Sequence, residues 1–459
     1  MWLPDLGDHA RPHYLAIADA IAEDIRVGRL RAEDRLPPQR HLAARLDLNF
    51  TTVARGYVEA QRRGLVESRV GAGTFVRSQA TASAPARSIR RTDLVDFSMN
   101  LPPEPDDPAL LERMRRAFTA VGGDLTTLLR YQGFGGTPED KDAALGWLTR
   151  RHVSATRDRL LICPGTHSAL LAIIGSLARP GEAVACEMLT YPGLKAIAGQ
   201  QGVRLVGVES DAQGMRADAL EAACAEGAIK ALYCNPTLLN PTTATITAPR
   251  RLELIEVARK HSLRIIEDDA YALVPRQPPP AFATLAPDIT YYVMGLAKCL
   301  GAGLRISYLV LPEGGRSWAV ATALRAANVM ASPITSALAS RWIAEGIADD
   351  VLEQIRVESR ARQELARESL AGHEVASDPE GFHLWITLPP HWTRSALTGQ
   401  LRTSRIGVVA SDAFAVGETP PEAVRACLGG FTNRAETRHA LEFLAEVLNT
   451  PPSMMSGVI

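Results

Sequence analysis

Beyond residue 150 the chain alternates short apolar runs with helical patterns, and few folds accommodate that rhythm. The runs are RLLIC, AVACE, RLVGVE, KALYC, LRIIE, ITYYVM and RISYLVL. Each is the length of a strand and rich in aliphatic or aromatic residues, as strands buried on both faces are. Between them stand stretches such as THSALLAIIGSLA and PRRLELIEVARKH, with apolar residues at helical intervals. Strands separated by helices predict an α/β domain: a mainly parallel sheet covered by helices. Ligands of such sheets sit beyond the carboxyl ends of the strands. Polar residues just after the runs are therefore the candidates for chemistry.

The N-terminal part follows a different pattern. A chain of 459 residues is too long for a single core, so two or more domains are expected. Ile17, Ile21 and Ile25 recur on one helical face, and Gly28 ends that segment. In RLPPQRHLAARL, Pro37 or Pro38 suits the first turn of a second helix, and Leu42 and Leu46 give it an apolar face. Asp47-Leu48-Asn49 forms a short turn, with Asn49 as N-cap of a third helix, FTTVARGYVEAQRR. Val53, Tyr57 and Ala60 point inward from it, and Gly64 closes it. Two helices joined by so short a turn form a helix-turn-helix, whose second helix would enter the major groove through Phe50, Thr51 and Thr52. LVES and TFVR read as short strands, with the turn Val70-Gly71-Ala72-Gly73 as a wing. A small three-helix packing module would give the same pattern without DNA. Residues 1–78 carry twelve arginines against ten acids, too mild an excess to decide.

Between the two regions, SQATASAPARSIRRTD has no apolar periodicity and reads as an exposed linker, a surface loop being the alternative. The expected organisation is a mostly helical winged unit at 1–78, a linker at 79–93 and the α/β domain at 94–459, with a smaller α/β part at about 345–449. No stretch reaches the roughly 18 apolar residues of a membrane span, and no basic-then-apolar leader opens the sequence. The cytoplasm is the expected compartment, with no membrane partner. The six cysteines form no Cys-x-x-Cys pair, so buried reduced thiols are expected rather than disulfides or a metal site.

Chemistry is concentrated in four pieces of the large domain. Of 50 basic residues only Lys141, Lys195, Lys230, Lys260 and Lys298 are lysines; codon bias accounts for a general shortage, and a surviving lysine either reflects that bias or marks work that needs a neutral amine. Lys298, in VMGLAKCLGAGLR, stands in an apolar stretch where desolvation would free its amine, with Arg305 seven residues on as an anion partner. A surface loop is the plainer reading. LRIIEDDAYAL ends a strand on Glu267-Asp268-Asp269, with Tyr271 following; such acids either hold a cation or form a solvated loop. In CPGTHSALLAI, Gly165, Thr166 and His167 open a helix, which binds phosphate or is simply capped by Thr166. Asn240, in LLNPTT, makes a turn or donates to a ligand oxygen.

The stretch GRLRAEDRLPPQRHLAARLDLNFTTVARGYVEAQRRGLVESRVGAGTFV resembles the GntR family of regulators. That resemblance implies DNA contacts by Arg40, Thr51 and Thr52, and by the wing at Arg69, Gly71 and Gly73. Phe50 stands where the family often has arginine, and position 54 is alanine, so Phe50 either meets a thymine methyl or belongs to the core.

Residues 94–449 resemble the fold-type I aminotransferases. The ordered pieces are Gly165-Thr166-His167, Tyr191, Asn240-Pro241, Asp268 with Tyr271, and Lys298 with Arg305. The resemblance implies pyridoxal 5′-phosphate as cofactor, joined to Lys298 as an internal aldimine. Asp268 would hold the pyridine nitrogen, Asn240 and Tyr271 the ring oxygen, and Tyr191 would pack on the ring. Thr166, His167 and Arg305 would bind phosphate, helped by Tyr131 from a partner subunit, and Arg425 would clamp a substrate or effector carboxylate. Gly295 replaces a serine and Thr243 a glycine that the family often has.

The two units in this order resemble the MocR subfamily of GntR regulators. That implies a homodimer on an operator of paired half-sites, sensing pyridoxal phosphate or a small amino compound through the aldimine. A working aminotransferase is the alternative, and a cofactor-binding protein with a decayed DNA head a third.

Overall fold

The computed structural model describes residues 2–4, 12–31, 34–63, 65–69, 73–76, 95–314, 317–417 and 419–452. Its contacts divide the chain into two compact units, Met1–Arg91 and Thr92–Ile459.

The first unit is built on α1 (His13–Arg26), α2 (Gln39–Leu46) and α3 (Phe50–Arg62), with β1 (Val66–Arg69) antiparallel to β2 (Gly73–Val76). Ile17, Ile21, Leu42, Val53, Tyr57 and Ala60 fill its core, as their helical spacing predicts, while Ile25 and Leu46 are half-buried. α1 and α3 cross closely at Gly56, where a Cβ would come within 2.9 Å of Ile17. Asp47 turns the chain in the left-handed region, and Asn49 caps α3 by accepting from the Thr51 N–H at 2.9 Å. The prolines lie outside the first turn of α2: Pro38 is its N-cap residue, and the Pro37 carbonyl accepts from the buried Tyr57 hydroxyl at 2.8 Å. The Leu36 N–H donates to the Thr74 carbonyl and the Val76 N–H to that of Asp34, fastening the strand pair to the segment between α1 and α2. Gly64, the turn residues 70–72 and the linker at 79–93 lie outside the described residues.

In the second unit all seven expected runs are strands of one sheet: β3 (Leu160–Cys163), β4 (Ala183–Glu187), β5 (Arg204–Val208), β6 (Ile229–Cys234), β7 (Arg264–Asp268), β8 (Thr290–Gly295) and β9 (Ser307–Val310). Their order is β3-β9-β8-β7-β6-β4-β5, and all neighbours are parallel except β9, which runs against β8 and β3. Helices bury both faces, which is why the strands read as unbroken apolar runs. A second, antiparallel sheet follows: β10 (Val375–Ser377), β11 (His383–Thr387), β12 (Val409–Ala410) and β13 (Ala423–Cys427), in the order β10-β11-β13-β12. Its core joins Leu384, Ile386, Val424 and Ala426 to the apolar stripe of helix Arg434–Asn449. No described helix is long and apolar enough to cross a membrane.

Candidate cofactor site and its relatives

The carboxyl ends of the parallel strands converge on a cavity of about 340 Å³. Lining it are Gly165, Thr166, His167, Tyr191, Asn240, Asp268, Tyr271, Lys298, Arg305 and Arg425, so ten residues singled out in the sequence come together.

At the floor lies Asp268, the last residue of β7. The three adjacent acids have separate fates, because successive side chains of a strand point to opposite faces. Glu267 accepts the N–H groups of Phe282 and Ala283 at 2.9 and 2.8 Å. Asp269 is paired in the core with Arg151 at 2.8 Å. Asp268 alone reaches the cavity. One of its oxygens accepts from Tyr233 at 2.8 Å, while Oδ1 is buried without a partner. Burial, reinforced by the charge of Asp269, pushes its carboxyl up to about 7 despite the Tyr233 bond.

Lys298 leaves the end of β8 and donates to the backbone carbonyl of Asn100. Burial brings its amine down to about 8. The same Asn100 donates through Nδ2 to the Tyr271 hydroxyl at 2.6 Å.

The opposite end of the cavity is built for an anion. Gly165, at φ 85°, is the N-cap of α4 (Thr166–Leu177); Thr166 is thus the first helical residue, not the cap, and its hydroxyl is free for other use. Arg305 lies so close that a Cβ on Gly165 would come within 3.1 Å of its guanidinium. A helix start and a guanidinium converge here on one point. Gly295 adjoins it, and a Cβ there would come within 2.5 Å of Thr166 Oγ1. The space a serine would need at 295 is occupied by the threonine hydroxyl.

On the remaining side Arg425, in β13, donates to Asn240 Oδ1 at 3.0 Å and to the Ser98 carbonyl, leaving Nε buried and unpartnered. The Tyr191 hydroxyl is hydrogen-bonded to His167 Nε2 at 2.6 Å.

Several participants carry no signal readable beforehand. Ser98 acts through its backbone carbonyl, which any residue possesses, and Asn100 through its carbonyl and its side-chain amide together. Asn235 accepts from the Asn240 N–H at 3.0 Å and donates to the Asp268 carbonyl at 2.7 Å. Asn235 did have a signal, the first Asn-Pro in CNPTLLNPTT. His383 packs on Tyr271 with ring centroids 5.5 Å apart, and burial holds it neutral, down to about 3.

Tyr131 is not in the cavity; it is 86% exposed. In the first unit Arg40, near the start of α2, is exposed; at the start of α3, Thr51 is exposed and Thr52 half-buried. Arg69 pairs with Gly73 across the strand ladder, the Arg69 side chain and Gly71 lying outside the described residues.

Residues 92–444 match the aminotransferase class I and II family, and residues 13–76 match the gntR family of bacterial regulatory proteins. YdeF of Bacillus subtilis, an uncharacterised HTH-type transcriptional regulator, is 30% identical over 450 residues, 98% of this chain and 97% of its own. The chain is a GntR regulator of the MocR type. Another relative of this MocR-type chain, the vitamin B6 salvage pathway transcriptional repressor PtsJ of Salmonella typhimurium, is 28% identical over 83% of this chain and 87% of its own. Among solved structures, the α-aminoadipate aminotransferase LysN of Thermus thermophilus superposes with a TM-score of 0.71 at 20% identity, over 80% of this chain and 94% of that one, and shares the fold.

The cofactor of this fold is pyridoxal phosphate, and the donor set of the MocR-type cavity fits it. The unpartnered Asp268 Oδ1 suits a protonated ring nitrogen. Thr166 and Arg305 suit the phosphate, and Lys298 the aldehyde carbon.

Proposed function

We propose that the chain is a DNA-binding transcription regulator that senses pyridoxal phosphate, or an amino compound joined to it, at Lys298, and that it works as a homodimer. One observation carries this reading: a buried amine, lowered to about 8 and facing a cavity whose acid lacks one partner, in a chain that also bears a winged helix. When bound, the cofactor supplies an aldehyde that condenses reversibly with amines. The protein's own groups set the rest. Asp268, held by Tyr233, offers its free oxygen to a ring N–H. Thr166 and Arg305 fix the phosphate, and Arg425 offers a guanidinium to a carboxylate. The exposure of Tyr131 suits a role at a partner subunit's site, and the vitamin B6 connection of PtsJ favours the cofactor itself as one ligand.

The test is binding of the full-length protein to its own upstream DNA, with and without pyridoxal phosphate and a panel of amines. An affinity change of about 5–150-fold, the span of ordinary allosteric coupling, is expected for at least one compound. Indifference of DNA affinity to every one of them would remove the sensor reading. A working aminotransferase is the second reading, favoured by the presence of Lys298, Asp268 and Arg425 together. Sustained multiple turnover between an amino acid and a keto acid would establish it.

A further inference from the structure

Phe50, the first residue of α3, is 44% exposed, although Val53, Tyr57 and Leu42 fill the core beneath it. It is therefore not a core residue. The guanidinium of Arg40 lies over its ring, 5.8 Å from the centroid, within cation–π range. The arginines near the two ends of α3 differ. Arg62 and Arg63, at the far end of α3, are tied to Glu59 and Asp19. Arg40 and Arg35, at the near end, have no ion pair among the described residues, and Arg35 lies over Gly73 of the strand pair. Arg35, Arg40 and Phe50 line one surface depression, so two guanidinium groups without an ion pair among the described residues stand beside the exposed ring. A recognition helix reads bases with its first residues. A phenyl ring has no hydrogen bond to offer, and the base-edge feature it complements in the major groove is the C5-methyl of thymine.

We infer that Phe50 is the base-reading residue of this regulator, that it selects a thymine in each half-site by contact with the methyl group, and that Arg40, stacked on the ring, is thereby held for the neighbouring phosphate. This rests on the DNA-binding reading above.

The experiment is selection of bound duplexes from a random pool by the full-length protein, loaded with pyridoxal phosphate, in parallel with its Phe50→Arg variant. Wild type should enrich paired half-sites carrying a thymine that the variant replaces with guanine, the base arginine pairs best, at otherwise unchanged positions. In the wild-type duplex, uracil in place of that thymine should weaken binding about fourfold, the effect of one buried methyl group. Phe50→Ala should bind the two duplexes alike. The same motif from wild type and Phe50→Arg, or wild-type indifference to the methyl, would overturn the inference while leaving the regulator intact. Enrichment of nothing by either protein would instead overturn the regulator reading beneath it.

Discussion

The phenol of Tyr233 donates to Oδ2 of Asp268 at 2.8 Å, and the other oxygen of that carboxylate is buried without a partner. The acid is thereby half satisfied and aimed. Tyr233→Phe removes a hydrogen bond to a charged group, worth about 1.5–3 kcal/mol, and lets the Asp268 carboxyl rise further. Pyridoxal phosphate should bind roughly tenfold or more weakly, at 1.4 kcal/mol per decade. Titration of the visible absorbance would measure it, and unchanged affinity would show that Asp268 is held by other means.

The Lys298 amine sits at about 8 instead of its usual 10.5 because burial disfavours its charge. Only the neutral amine attacks an aldehyde. Capture of pyridoxal phosphate should therefore speed up about tenfold per pH unit below 8 and level off above it. Lys298→Ala should lose the absorbance shift with its circular dichroism intact. A rate still climbing near pH 10 would mean a hydrated amine.

Thr166 and Gly295 share one small space, since a Cβ at 295 would come within 2.5 Å of the threonine hydroxyl. Gly295→Ser alone should weaken cofactor binding by crowding Thr166. In the double variant Gly295→Ser, Thr166→Ala the hydroxyl changes sides, and most of the affinity should return. The non-additivity of that cycle is the readout, and additive losses would refute a shared site.

Arg425 donates to Asn240 and Ser98 and keeps Nε unpartnered. Arg425→Met should weaken amino acids about tenfold or more while sparing the matching amines that lack a carboxylate, as loss of a charge-assisted pair requires. Parallel spectral titrations with such matched compounds decide it. Equal losses for both would assign Arg425 to structure alone.

Arg151 and Asp269 form an ion pair buried in the core. Arg151→Met strands the carboxylate and should cost about 3–5 kcal/mol of stability, read as a lower urea midpoint. A midpoint unchanged from wild type would mean that Asp269 is satisfied by Tyr292, 3.2 Å away.

Legibility in the sequence followed physical locality. All seven strands of the main sheet could be read: burial on both faces makes the inner strands nearly unbroken apolar runs, and even the half-buried edge strand β5 keeps aliphatic residues. Lys298, Asp268 and Thr166 could be singled out because each stands within a few residues of the end of such a run. Asn100 and Ser98 could not, since their carbonyls reach Lys298 and Arg425 across some two hundred and some three hundred residues of chain. The sequence also leaves open which of three neighbouring acids faces the ligand. That depends on strand pleat, and on where Arg151 and the Phe282 N–H happen to lie.

Because β9 runs against its neighbours, the chain that leaves β8 with Lys298 returns Arg305 to the same edge of the sheet. Those two residues are the jaws of one hairpin, and their spacing is set by a short covalent path. Arg425 rides on a different sheet. Its bond to Asn240 already rivets that sheet to the loop after β6. A carboxylate that drew the guanidinium away would slip that rivet, so one group on a ligand would change how stiffly the two sheets are joined.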